Sequence, residues 1–73
     1  MNNRVMLTVY VSPPATDRAP WRVRCDGRPT EEFRQEQQAL RRAAECVRMA
    51  ENAGGAGIIK IEVFDGTWKV YAP

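Results

Sequence analysis

The sequence predicts a small α+β domain, with one helix packed on one face of an antiparallel or mixed sheet, in the order β-β-β-α-β-β. One supporting observation is the segment 35–53, which lacks glycine and proline and carries apolar residues at helical spacing. The other is a set of short alternating segments on both sides of it, interrupted by Asp-Gly pairs. With 73 residues, the chain is expected to form a single domain, 1–73.

The first predicted strand covers residues 4–11. Its apolar residues alternate onto one face, expected to meet the core: Val5, Leu7, Val9 and Val11. Tyr10 falls on the opposite face. Three prolines within residues 12–20 predict that a loop follows this strand.

The second predicted strand is Trp21–Cys25, in which alternation directs Arg22 and Arg24 away from the core. Asp26-Gly27 is typical of a hairpin turn, because both residues tolerate a positive φ. A weaker third strand is expected to end at Phe33. Pro29 makes it an edge or irregular strand, because proline donates no hydrogen bond to a ladder.

The helix over 35–53 is expected to bury a stripe composed mostly of alanine, which lets it approach the sheet closely. The stripe contains Leu40, Ala43, Val47 and Ala50, widened by Ala39, Cys46 and Ala53. The opposite helix face is rich in arginine, including Arg41 and Arg48, and an Arg41–Glu45 pair is expected to form across one turn. Gly54-Gly55 predicts the helix end.

The last two strands, 58–64 and 67–72, are predicted to form a hairpin around Asp65-Gly66. A two-residue turn pairs Val63 with Trp68, Ile61 with Val70 and Ile59 with Ala72, which gathers six apolar residues on one face. The same register places Lys60, Lys69 and Tyr71 on the opposite face and both tryptophans, Trp21 and Trp68, with the core.

The composition argues against catalysis and cofactor chemistry. The chain has no histidine, and its two cysteines, Cys25 and Cys46, fall on predicted core faces, so no catalytic or metal site and no cofactor are expected. The chain is therefore expected not to be an enzyme. Two cysteines and no secretory signal or membrane-length apolar segment predict reduced thiols in a cytoplasm and no membrane partner.

The predicted contact surface is the sheet face that the helix leaves uncovered. All eleven basic residues except Lys60 and Lys69 are arginine. Arginine and tyrosine are both common at binding hot spots. A net charge of +2 does not by itself indicate nucleic acid. The candidate partner-binding residues are Tyr10, Arg22, Arg24, Lys60, Lys69 and Tyr71, with Arg41 and Arg48 on the helix as a second surface. A solvated face without a partner is the alternative for both surfaces.

The run from Trp21 to Tyr71 resembles a family of uncharacterised small bacterial and phage domains. The resemblance rests on the Trp-x-Val strand, the two Asp-Gly turns, Phe33, and the Ala39-Leu40 and Ala43 positions of the helix. The family usually has a threonine as helix N-cap two residues after the phenylalanine, where this chain has Gln35, a poorer cap. The resemblance implies the fold and says nothing about activity.

The chain is also similar to small phage-encoded anti-CRISPR proteins, which often place one helix on a small antiparallel sheet. The likeness lies in the proline after the first strand, the Asp-Gly hairpin, the alanine-rich helix and the short last strand. It implies a stoichiometric inhibitor, in a bacterial host cytoplasm, of a host protein or protein–RNA complex such as a CRISPR effector. A nucleic-acid binder using the same sheet face and a homodimer or larger homo-oligomer are the alternatives.

Overall fold

The computed structural model describes residues 6–63 and 66–71 and contains the predicted elements in the predicted order. This confirms a small α+β domain with one helix packed on a sheet. The elements are β1 (Met6–Ser12), β2 (Trp21–Cys25), β3 (Glu31–Phe33), α1 (Glu36–Asn52), β4 (Ala56–Glu62) and β5 (Trp68–Tyr71).

The five strands form one mixed sheet in the order β3-β2-β1-β4-β5, with β1 at its centre. β1 and β4 run parallel, and the other neighbours are antiparallel. A parallel pair requires a crossover connection, and α1 lies within it, between β3 and β4. β3 lies at one edge, as Pro29 predicts, and β5 lies at the other.

Helix α1 begins after the glutamine that the sequence marks as a poor cap. Gln35 is the N-cap residue, and its backbone N–H donates to the Gln38 side-chain oxygen at 3.3 Å. At the other end, Gly54 takes a φ of 91° and donates to the Glu51 carbonyl, while Gly55 donates to the Ala50 carbonyl at 2.9 Å. These two bonds form a Schellman motif, so the predicted glycine cap is confirmed.

The core between α1 and the sheet is small and built from short side chains. The buried residues are Val9, Val11, Val23, Cys25, Ala39, Ala43, Cys46 and Ile59. Larger side chains, among them Trp21, Phe33 and Leu40, are half-buried around this centre. The alternation predicted for β1 and β2 is confirmed in the described residues. Val5, which was predicted on the same core face, lies outside the described residues. Ala53, predicted in the helix stripe, is exposed at the C-cap instead.

Strand β4 starts two residues earlier than predicted, at Ala56, because Ala56 and Gly57 pair with Met6 and Leu7 of β1. Gly57 lies directly under the helix. A Cβ atom at this position would stand 3.0 Å from both Val47 Cγ atoms and 3.1 Å from Val47 Cα. The missing side chain is therefore what lets α1 lie this close to β4.

The predicted β4–β5 register is wrong by one residue. Trp68 pairs with Glu62 and Val70 with Lys60, whereas the prediction paired them with Val63 and Ile61. The turn explains the shift, because Val63 donates to the Thr67 carbonyl at 2.7 Å and so closes a three-residue loop, 64–66, in place of a two-residue one. Gly66 donates to the Val63 carbonyl and takes a φ of 88°, in the left-handed region that glycine adopts without strain. Ala72, the predicted partner of Ile59, lies outside the described residues.

Candidate binding surface on the open sheet face

Helix α1 packs against β1, β2, β3 and β4 on one side of the sheet. Among the residues that the structure describes, no second helix or strand packs on the other side, which we call the open face. Strand pairing assigns its members, since paired residues project to the same side. They are Glu32 on β3, Arg22 and Arg24 on β2, Met6, Thr8, Tyr10 and Ser12 on β1, Ala56, Ile58, Lys60 and Glu62 on β4, and Trp68 and Val70 on β5.

A chain of three side chains in contact spans the middle of the open face. The Arg24 guanidinium lies 4.9 Å from the centre of the Tyr10 ring, within the range of a cation–π interaction. The Tyr10 and Trp68 ring centres lie 5.2 Å apart with an interplanar angle of 77°, an edge-to-face pair. These interactions link β2 and β1 to β5 across the intervening β4, and they hold both aromatic rings in place in the absence of a partner.

Large apolar side chains on the open face stay exposed beside this stack. Met6 is 60% exposed, Val70 62% and Trp68 41%, and Ile58 is half-buried. Three of the four exposed large apolar residues in the described chain thus belong to one sheet face, and Met49 is the fourth. Isolated exposed apolar residues are ordinary, but a group gathered on one uncovered face is typical of an interaction surface.

The structure places four of the six predicted sheet residues on the open face: Tyr10, Arg22, Arg24 and Lys60. Arg24 and Tyr10 are in direct contact. Tyr71 and Lys69 were predicted here as well, but their pairing with Ile59 and Ile61 turns both to the helix side of the sheet. Tyr71 packs against the core. The one-residue shift in register is the physical cause of both errors.

Sequence reasoning missed Trp68 and Val70, because the same shift moves both from the core side to the open face. The sequence was compatible with the observed register as well as with the predicted one. Glycine at the third position of a loop fits a three-residue hairpin as well as it fits the second position of a two-residue hairpin. Residues 64–66 end in Gly66, so the Asp-Gly pair alone did not distinguish the two registers.

On the second predicted surface, on α1, some charged side chains form ion pairs with one another and others are exposed. Arg41 and Arg48 are exposed, as expected. Glu45 pairs with Arg42 at 3.3 Å rather than with Arg41, and Arg42 also reaches Glu31 at 2.7 Å. This second ion pair ties the helix to the edge strand β3. Arg48 and Tyr71 come together in a shallow groove of about 420 Å³ between α1 and the β4–β5 edge.

The two cysteines lie in the core, as their alternation predicts. Burial, together with a hydrogen bond to Cys46, raises the pKa of the Cys25 thiol to about 11. At neutral pH this thiol is therefore protonated and a poor nucleophile. Within residues 6–63 and 66–71, no three histidine, cysteine or acidic side chains cluster as metal ligands. No helix in the described part of the chain is long and apolar enough to cross a membrane.

Comparison with known proteins finds no significant match to a family model, a curated protein or a solved structure. The resemblance to small phage domains and to anti-CRISPR proteins therefore stays a prediction. The feature that bears on function is the open face, where an arginine–tyrosine–tryptophan stack is surrounded by exposed apolar side chains.

Proposed function

We propose that this domain acts without chemistry, by binding a protein partner through the open face. The observation that carries the proposal is the exposure of Met6, Trp68 and Val70 on a sheet face that no described element covers. Burying these side chains against a partner stabilises a complex in proportion to the apolar area removed from water. In the free domain these side chains stay in water and contribute no such stabilisation.

The residue types of the open face support a protein partner further. Tryptophan, tyrosine and arginine are the residues most enriched among interface hot spots. Here they are held against one another before binding, by the contacts of Tyr10 with Arg24 and with Trp68. Side chains that are already ordered lose less conformational entropy when a partner docks. The stack is thus suited to be the centre of an interface.

The geometry favours a protein over a nucleic acid. Stacking of a base requires a free ring face, and Tyr10 offers little of one, because the Arg24 guanidinium covers one face and Trp68 meets the same ring. The described open face also mixes charges, because Arg22, Arg24 and Lys60 share it with Glu32 and Glu62. A continuous basic path for phosphates would have a larger excess of positive charge.

The narrower proposal is that the partner is a host protein or protein–RNA complex, with a CRISPR effector as the first candidate. Its support is the resemblance to small anti-CRISPR proteins together with a ready-made contact surface on a small domain. Such a domain inhibits stoichiometrically by occupying a surface that the effector needs. The protein surface that fits the open face is apolar at its centre and carries carboxylates opposite Arg22 and Lys60.

The test uses immobilised domain to capture partners from bacterial lysate that contains CRISPR effector complexes, followed by titration of the captured complex. Trp68→Ala removes the centre of the surface, and Lys69→Ala is the matched control on the same strand but on the other side of the sheet. We expect Trp68→Ala to weaken binding by about tenfold or more, since hot-spot truncations cost about 2 kcal/mol. Lys69→Ala should stay within a few-fold of wild type.

One result would refute the proposed surface, and another would refute the proposed partner. If Trp68→Ala binds as tightly as wild type while Lys69→Ala does not, the contact surface lies on the helix side. If effector complexes fail to bind at all, the narrower proposal fails. A gel shift with single-stranded nucleic acid that weakens steeply with salt would instead favour nucleic-acid binding. Light scattering that gives a multiple of the monomer mass would favour a homo-oligomer.

A further inference from the structure

A second feature lies on the helix side of the sheet, away from the open face. A cleft of about 620 Å³ opens between the last turns of α1 and the ends of β1 and β2. Three sulfur-bearing side chains line it: Cys25 from β2, and Cys46 and Met49 from α1. Leu7 and Ala50 make part of the remaining wall apolar. The sequence holds only two cysteines, and the fold brings both into this one cleft.

The sulfur groups are near one another. Cys25 and Cys46 line the same cleft from the strand and from the helix, near enough for the Cys46 side chain to act on the Cys25 thiol. Met49 follows Cys46 by three residues, which places both side chains on the same face of α1. Met49 is 47% exposed, whereas both cysteines are buried.

We propose that this cleft binds a soft monovalent metal ion, Cu(I) or Ag(I), through the Cys25 and Cys46 thiolates and the Met49 thioether. Thiolate and thioether sulfur select such ions over Mg²⁺, Ca²⁺ and other cations that prefer oxygen ligands. Asp26 also lines the cleft, but a single exposed carboxylate offers a hard cation few ligands. This site is independent of the open face.

The balance of charge and protons is simple. The incoming ion displaces one proton from each thiol, both protons pass to solvent, and no electron is transferred. One positive ion and two thiolates leave a net charge of −1. Arg28 lines the cleft, and Arg42 also acts on Cys25 electrostatically, so both cations offset that charge. Because both thiols must lose their protons to bind the ion, the affinity should fall as the pH is lowered.

The experiment titrates the reduced full chain with Ag(I) in the absence of oxygen and follows native mass and thermal unfolding. Met49→Leu keeps the size and helix propensity of the residue but removes the sulfur. Met6→Leu is the matched control, since it alters another exposed methionine outside the cleft. We expect one ion per chain, a higher unfolding midpoint with Ag(I) and, for Met49→Leu, an affinity about tenfold lower. Met6→Leu should bind Ag(I) with the same affinity as wild type.

Cys46→Ala should abolish the stabilisation by Ag(I), and its own unfolding curve without metal shows that the variant folds. Equal affinities of Met49→Leu and wild type would overturn the three-sulfur site. Ag(I) that lowers the unfolding midpoint would show that the ion prefers thiols of the unfolded chain, which also overturns the proposal. Neither result bears on partner binding by the open face, so the two proposals fail separately.

Discussion

Replacing Gly57 with alanine tests how the helix is positioned over the sheet. The new Cβ would stand 3.0 Å from two Val47 methyl carbons and 3.1 Å from Val47 Cα. The methyl groups can move if the Val47 side chain rotates, but the clash with the Val47 backbone persists in every rotamer. The substitution therefore forces α1 away from β4, which loosens the packing around Ile59.

Two opposing contributions set the expected change in the free energy of unfolding. Overpacking of a close approach costs about 1–3 kcal/mol. Gly57 does not need a positive φ, so alanine also restricts the unfolded chain and returns about 0.4–1 kcal/mol. We expect a net loss of about 1–2 kcal/mol in the free energy of unfolding. Because the clash with the Val47 backbone cannot be relieved by side-chain rotation, the steric term should outweigh the entropic one.

Urea denaturation measures this loss, and a double-mutant cycle with Val47→Ala identifies its cause. Val47→Ala removes the two methyl carbons that stand closest to the new Cβ, so the double variant should recover at least about 0.5 kcal/mol relative to additivity. Gly54→Ala is the control, since it has open space but a φ of 91°, and its cost should add to that of Val47→Ala. A Gly57→Ala variant as stable as wild type, or one without coupling to Val47, would refute the reasoning.

Three further predictions concern other parts of the chain. Trp68→Ala should lower the free energy of unfolding by only about 0.5–1.5 kcal/mol, because an exposed edge-to-face pair contributes little, and should remove part of the near-UV circular dichroism. Arg42→Met should cost about 0.2–1 kcal/mol at low salt, and this difference should shrink in about 1 M salt if the exposed pair with Glu31 is its source. Cys25 holds its proton more tightly when folded, so stability should fall as the pH rises from about 9 to about 11, and Cys25→Ala should remove that part of the slope.

The candidate surface was predictable on strands that have a neighbouring strand on both sides. On β1 and β2 one face is buried, so a slip of one residue would expose the whole apolar set, and alternation alone located Tyr10, Arg22 and Arg24. At the edge strand β5 this constraint is weak. Trp68 and Val70 stay exposed in the observed register, so burial does not enforce it, and pairing apolar with apolar residues predicts the wrong one.

The amino-acid pattern by itself determined the order of the elements, the Gly54-Gly55 helix end and the alanine-lined interface with the sheet, because periodicity and backbone preference act within a few residues. Tertiary structure alone decided three things: the parallel pairing of β1 with β4, the one-residue shift that brings Trp68 onto Tyr10, and the placing of Cys25 and Cys46 in one cleft. Each joins residues that lie far apart in the chain or on either side of a loop with two allowed lengths. Such choices depend on which packing buries more surface, and no local pattern encodes that comparison.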